Sequence, residues 1–452
     1  MNSLNVKYAF IMILAVLASG CEAASTPDKS ASADKNNVKY VFLFIGDGMG
    51  VNHKALTESA IQNRQPGAKL VINSFPVNGK AITLNSTKTV TDSAASGTAI
   101  ACGVKTTNGK LGLDPDGKRL TSIAVIAKER GMKVGIISST AINDATPASF
   151  YAHVDSRKQF KDIVADMAAS NFDFFGGGKV AIDKLDNAET DYYQKLKSSG
   201  YTVLDGQAGL QAATANKCYA QVPPAWGVDK KVVPSLAEYT IKASEILDNP
   251  KGFFIMVEGA KIDHASHGND SGAMVNELLA FDEAVNTGMS FLKKHPDNTL
   301  IVVTSDHETG GLKLNEELKS KNCLLLNQKA SYGTILDNLK KIKIADSNFE
   351  QALGLVKESL GFDGFTASEL ADLKALWNSE EKPGQKPKHN RFLSLAFKIR
   401  DAHSGVTWTL TGHSDAQVAT VAAGKGQELF AGTYENTYIF ANLKQLISGC
   451  PP

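Results

Sequence analysis

The chain has 452 residues, 43% hydrophobic and 21% charged, which is enough to bury a large core and is ordinary for a soluble globular protein. Its 48 Lys and Arg nearly balance 47 Asp and Glu, so composition gives no support to a nucleic-acid partner or a general membrane-surface partner. Length alone would suggest about three domains, but α/β enzymes of this size often build one continuous sheet with insertions.

At the N-terminus, Lys7 precedes the apolar stretch Ala9 to Ala18, and Leu17-Ala18-Ser19-Gly20-Cys21 ends it. The stretch is too short to span a bilayer and has the form of an export signal over residues 1–21. Its ending resembles a bacterial lipoprotein signal, with Cys21 as the lipidated first residue of the mature chain; plain signal cleavage is the alternative. Residues 22–37 are small, polar and charged, which suits a flexible tether. The expected location is outside the cytoplasm, in the periplasm or cell envelope, with the lipid at Cys21 as the membrane link. Of the other cysteines, Cys102 sits in an apolar helical segment and reads as a free core thiol. Pairing among Cys218, Cys323 and Cys450 stays open.

From Val38 onward the chain alternates strands and helices. Val38 to Ile45 is an apolar run ending in Gly46-Asp47-Gly48-Met49-Gly50, and Lys54 to Asn63 has helical composition. Lys80 to Leu84 is a short strand candidate, and a helix free of Pro begins near Asp92 or Ser93. Arg119 to Arg130 carries helical spacing and gives way to a strand over Met132 to Ser138. Ser235 to Leu247 and Ala273 to Lys293 read as helices on either side of the strand Gly252 to Val257, and Thr299 to Thr304 is a further strand. This rhythm predicts an α/β fold, a three-layer sandwich with a mostly parallel central sheet flanked by helices. The rhythm breaks between about 315 and 403, a polar, lysine-rich span. There a capping box, Thr366-Ala367-Ser368-Glu369, opens a helix through Trp377 and a loop covers Glu380 to Asn390; the span reads as an insertion. Strand character returns at Val406 to Leu410, before Gly412-His413. The catalytic domain is thus expected over 38–449.

Three of the strands end in chemistry. The first delivers Asp47, the second runs into Glu258 and then Asp263, His264 and His267, and the third delivers Asp306 and His307. Apolar runs of this length are buried on both faces of a parallel sheet, and ligand sites collect beyond the carboxyl ends of such strands. Asp263 and His267 are four apart, so on a helical turn both project from one face and can share a metal ion. Ser93 stands where a helix N-terminus favours an anion, and a serine without a histidine base can still act as nucleophile when a metal ion deprotonates it. Asn143-Asp144-Ala145-Thr146-Pro147 and Arg157 add carboxylate, hydroxyl and a guanidinium shaped to clamp two phosphate oxygens.

Asp47-Gly48-Met49-Gly50, Thr91-Asp92-Ser93-Ala94-Ala95-Ser96, Asp144-Ala145-Thr146-Pro147-Ala148, Ser156-Arg157-Lys158, Val257-Glu258-Gly259 with Asp263 and His267, Asp306-His307, and Thr411-Gly412-His413 together resemble the motifs of alkaline phosphatases, in that family's order. The resemblance implies a phosphomonoesterase with two zinc ions and one magnesium ion, acting on small phosphate monoesters. One zinc would be held by Asp263, His267 and His413, the other by Asp47, Asp306 and His307. Magnesium would take Asp47, Thr146 and Glu258, with Asp144 reaching its water ligands. Ser93 would be the nucleophile, passing through a phosphoserine intermediate, Arg157 would hold the phosphoryl group, and Asp92 would orient the arginine. The family's members are often homodimers. His264 departs from the pattern: it stands where enteric bacterial members have a lysine that reaches phosphate through water. Glu308-Thr309-Gly310-Gly311 lacks the further histidine of animal members, and Ser414-Asp415 replaces the more common Thr-Gly. His153 is expected to be structural. A phosphodiesterase or nucleotide pyrophosphatase of the same superfamily is the alternative enzyme, and a non-catalytic phosphate- or metal-binding surface lipoprotein the alternative from another class.

Overall fold

The computed structural model describes residues 38–182, 189–214, 216–223, 225–230, 232–380 and 384–449. The expected signal segment, the tether with Cys21, and Cys450 lie outside them. In chain order the strands are β1 (Tyr40–Ile45), β2 (Val77–Ile82), β3 (Lys133–Ala141), β4 (Phe174–Gly178), β5 (Thr202–Asp205), β6 (Cys218–Val222), β7 (Phe253–Glu258), β8 (Thr299–Thr304), β9 (Glu308–Thr309), β10 (Leu312–Leu314), β11 (Val406–Trp408), β12 (His413–Ser414), β13 (Val418–Gly424) and β14 (Gly432–Glu435). Ten of them form one sheet in the order β14-β2-β13-β8-β1-β7-β3-β4-β6-β5. Every adjacent pair is parallel except those made by β13, which runs antiparallel to both β8 and β2. The sheet is therefore mixed and mostly parallel, with helices on both faces.

The apolar runs explain this arrangement. In β1 every residue is buried, with Val41, Leu43 and Ile45 in the core on one face and Tyr40, Phe42 and Phe44 in the core on the other. A strand that is apolar on both sides is stable only where helices cover both sides. The register then decides where chemistry emerges. Ile45 pairs with Glu258 of β7 and with Thr304 of β8, and Ser138 of β3 also pairs with Glu258. β8, β1 and β7 thus end level with one another, while β3 runs on past Ser138 to Ala141. Asp47, Glu258 and Asp306, carried by β1, β7 and β8, leave the sheet along one edge.

Several boundaries differ from the sequence reading. The second strand is Val77–Ile82 rather than Lys80 to Leu84, because its limits come from pairing with β13 and β14. The helix expected from Arg119 begins at Ile123, where the Ser122 hydroxyl accepts from the Val125 amide and caps it. The Met132 strand runs on through Ala141, beyond Ser138, after a register shift against β4. Within the span read as a loop over Glu380 to Asn390, a helix starts at Lys388.

The span between β10 and β11 carries helices Tyr332–Leu339, Phe349–Leu360, Ala367–Asn378 and Lys388–His403 around a core of its own, including Leu353, Trp377, Phe392 and Phe397. Thr366 and Glu369 make the expected capping box. Cys102, Cys218 and Cys323 are free thiols, so no two of them pair. Among the described residues no helix is long and apolar enough to cross a membrane. Trp377 is fully buried, with its indole N–H donating to the Ala345 carbonyl at 2.9 Å. Trp377→Ala is expected to cost about 3–5 kcal/mol, measured as a lowered denaturation midpoint; a change below 1 kcal/mol would mean that this second core is loosely packed.

Candidate metal and phosphoryl-transfer site

The site is assembled where the level strand ends meet. Asp47 follows β1 through Gly46, and Gly48 then turns with φ of 70°. A Cβ on Gly48 would stand 2.8 Å from the Asp263 Cα, so only glycine lets this turn lie against the helix Lys261–His267. The Gly48 amide donates to Asp306 Oδ1 at 3.1 Å, tying the β1 and β8 ends together. Asp92 caps the helix Ser93–Cys102 by accepting from the Ala95 amide at 2.9 Å, which sets Ser93 at the first helical position. All ten residues of that helix are buried, and its run of Ala, Ser and Gly permits the close approach. A Cβ on Gly97 would lie 2.6 Å from Ser149 Oγ.

Around Asp47 a first group forms. Asp47, Asp306 and His307 each present a ligand atom within 4.8 Å of the others, and all three are buried. His307 Nε2 lies 3.5 Å from Asp47 Oδ1, 3.2 Å from Asp306 Oδ2 and 3.2 Å from Ser93 Oγ. A second group gathers beside it: Asp263, His307 and His413 satisfy the same distance. His267, expected in this set, reaches it too, with Nε2 3.4 Å from Asp263 Oδ2 and 3.1 Å from His413 Nε2. His413 stacks on His307 at 3.5 Å between ring centroids, so His307 stands between the two groups. His413 is brought there by the short ladder of β12 with β9, where it faces Thr309.

A third, oxygen-only cluster lies on the other side of Asp47. Thr146 Oγ1 donates to Asp47 Oδ2 at 3.5 Å, and the Ser138 hydroxyl donates to the Glu258 carboxylate in a short contact. Asp144 caps the short helix Ala145–Ala148 through the Ala145 amide and accepts from Arg157 Nη2 at 3.0 Å. Arg157 Nη1 reaches Asp92 Oδ2 at 3.4 Å, so two carboxylates flank the one guanidinium. His264, 40% exposed, lies with Nε2 3.9 Å from Asp144 Oδ2. His153 is remote from these groups, its Nε2 2.8 Å from the Leu120 carbonyl oxygen.

The electrostatics favour bound cations. Burial, then the neighbouring Asp306, Asp263, Glu258 and Asp144, push the Asp47 carboxyl well above the usual carboxylate range. Burial and then Asp144 push Glu258 up to about 8. Burial also raises Asp144, but Arg157 and His264 outweigh it, and its carboxyl ends below the usual range. Burial and the adjacent His413 hold the His307 imidazole down to about 3, which makes it a poor base for Ser93 near neutrality.

Two further observations fit metal ions to these residues. Asp47 Oδ1 and Asp306 Oδ2 are buried without a hydrogen-bond partner, an arrangement that normally costs a few kcal/mol per group. His267 Nδ1 and His413 Nδ1 each lie on a backbone carbonyl, of Thr411 at 2.6 Å and Thr91 at 2.8 Å. A carbonyl can only accept, so both Nδ1 atoms carry the proton and both Nε2 lone pairs face each other at 3.1 Å. A shared cation resolves that repulsion. Imidazole with carboxylate suits zinc, and the oxygen-only cluster suits magnesium.

Sequence reasoning missed Ser138, Thr309 and the carbonyls of Thr91 and Thr411. The two carbonyls left no side-chain signal at all. Ser138 could have been found only by knowing that β3 pairs with β7 in this register.

For metal-free protein the carboxylates dictate a pH response. Glu258 titrates near 8 when folded, against 4.5 for a free glutamate, so the folded state binds more protons in that window and loses stability as pH rises through it. His307 acts oppositely, but only between about 3 and 6.5. The Tm of chelator-treated protein is therefore expected to fall between roughly pH 6.5 and 8, and added Zn2+ with Mg2+ to reverse the slope. A Tm that climbs with pH in chelator would contradict this reading.

The alkaline phosphatase family model matches residues 38–192 and 219–448. Alkaline phosphatase 3 of Bacillus subtilis is 30% identical, over 94% of this chain and 93% of its own. The crystal structure of the cold-active alkaline phosphatase of a psychrophilic Shewanella superposes with a TM-score of 0.78 at 31% identity, over 91% of this chain and 100% of that one. A mutant of the Antarctic TAB5 alkaline phosphatase with Mg bound in its M3 site gives a TM-score of 0.65 at 27% identity, over 91% and 99%. Matched along nearly its whole folded length, the chain belongs to the alkaline phosphatase family, enzymes that hydrolyse phosphate monoesters.

Proposed function

We propose that this chain hydrolyses phosphate monoesters through a phosphoserine on Ser93, at a site that holds two zinc ions and one magnesium ion. The observation that carries the reading is the buried Ser93 hydroxyl 3.2 Å from His307 Nε2, at the rim of crowded carboxylates whose ionised form calls for cations. Asp47, Asp306 and His307 would hold one zinc; Asp263, His267 and His413 the other; Asp47, Thr146 and Glu258 the magnesium, with Asp144 reaching its water ligands. The magnesium assignment is supported by the oxygen-only donor set and by the Mg bound in the M3 site of the mutant TAB5 enzyme. Ions bound there supply Lewis-acid stabilisation to the Ser93 alkoxide and to the departing alkoxide of the substrate.

The chain's own groups do the rest. Ser93, at the start of its helix, attacks phosphorus in line, and the helix N-terminus favours the phosphoryl charge. Arg157, held from both sides by Asp92 and Asp144, offers paired N–H donors to two non-bridging oxygens. Water then hydrolyses the phosphoserine, releasing inorganic phosphate and restoring the hydroxyl. His264, beside Asp144, contributes positive charge near the phosphoryl group only when protonated, which sets this chain apart from relatives with a lysine there. Export with a lipid anchor at Cys21, a catalytic domain over 38–449 with the insertion at about 315–403, and a homodimeric assembly complete the proposal.

Zinc- and magnesium-loaded protein is expected to cleave an aryl phosphate monoester at alkaline pH with inorganic phosphate as a competitive inhibitor. Ser93→Ala should lower kcat by on the order of 10³-fold or more; unchanged turnover in that variant would remove the phosphoserine. Because a phosphodiester has one non-bridging oxygen fewer, Arg157→Ala should impair monoesters more than diesters. Equal losses on the two substrates would favour the diesterase alternative.

A further inference from the structure

Each imidazole of the paired metal groups has its Nδ1 occupied, and the three differ in what occupies it. His267 and His413 use backbone carbonyls, which fix the tautomer whatever the side chains do. His307 alone uses a side chain: its Nδ1 lies 3.2 Å from the Thr309 hydroxyl. A hydroxyl can donate or accept, so it does not by itself determine which nitrogen of His307 carries the proton. The same hydroxyl lies 2.5 Å from Asp263 Oδ1. A carboxylate only accepts, so the single Thr309 proton goes to Asp263. The hydroxyl oxygen must then accept from His307 Nδ1–H, and Nε2 is left as a bare lone pair facing Ser93, Asp47 and Asp306.

We propose that Thr309 is a positioning residue that couples the two metal groups: its hydroxyl passes the fixed polarity of Asp263, a member of one group, to His307, which stands between both. The inference rests on the metal reading above. It assigns a structural cause to the threonine that follows Asp306-His307-Glu308. Thr309 is fully buried, and its ladder pairing with His413 holds it in place, so its hydroxyl has no solvent to turn to. Valine is nearly isosteric and keeps the β-branch that suits this short strand, but it leaves His307 Nδ1–H without an acceptor and removes a donor from Asp263.

The test counts zinc rather than turnover. Wild type, Thr309→Val and Thr309→Ser are loaded with zinc, dialysed against a graded series of a zinc chelator, and their retained zinc measured, with circular dichroism reporting whether each is folded. Thr309→Val is expected to lose zinc at chelator concentrations lower by about 10–100-fold, the usual effect of removing a group that orients a metal ligand. Thr309→Ser, which keeps the hydroxyl, should follow wild type. Wild-type retention in Thr309→Val overturns the proposal. If Thr309→Val does not fold, Thr309→Ser decides alone: zinc loss in a folded serine variant would show that the methyl group, not the hydroxyl, matters, and would overturn it as well. Wild type that binds no zinc at all would instead remove the metal reading on which the inference rests.

Discussion

The structure depends on one electrostatic constraint: Asp47, Glu258, Asp263 and Asp306 are packed, nearly dry, at one edge of a sheet whose strands are otherwise apolar. Carboxylates this close cannot all ionise in a low-dielectric setting without compensating charge. Arg157 compensates only Asp92 and Asp144, at the outer side. The inner carboxylates have two buried oxygens with no partner and imidazole lone pairs turned toward one another. Divalent ions would satisfy all of these at once, so the ions that would perform the chemistry would also relieve the repulsion among these carboxylates.

That cluster is affordable because the scaffold beneath it is rigid. β8, β1, β7 and β3 lie side by side, the first three with level ends, and each is buried between two cores. A one-residue slip in any of them would move a carboxylate along the edge and turn every apolar side chain of that strand to the other face. Register is thus enforced by the aromatic and aliphatic core, far from the chemistry. The small-residue helix after Asp92 serves the same end, since its lack of bulk allows Ser93 to sit against the strand ends.

His413 reaches the site by another route. More than a hundred positions separate it from His307, and most of them form the helical insertion with its own core around Trp377 and Phe392. The chain leaves the site through β9 and β10 and returns through β11 and β12, with Leu312 opposite Trp408 and Thr309 opposite His413. These two short ladders bring the ends of the excursion together. The entropic cost of closing so long a loop grows only slowly with its length, and the insertion's own packing shortens the effective span.

The amino-acid sequence by itself determined which polar side chains stand at the strand ends and the class of scaffold that carries them. Apolar runs ending in Asp47, Glu258 and Asp306 could only be doubly buried strands with polar residues at their ends, and Asp92-Ser93 could be read as a helix start from capping chemistry alone. Those are local facts, set by side-chain polarity and spacing within a few residues. The tertiary structure decided the rest: the antiparallel course of β13, the start of β2, the pairing of Ser138 with Glu258, and the position of His307 within reach of both groups. It also decided the tautomers, because the acceptors at Thr91 and Thr411 are main-chain atoms that every residue possesses and no sequence pattern marks. Contacts between segments a hundred or more residues apart depend on strand order and register, and these are fixed by the packing of the whole core.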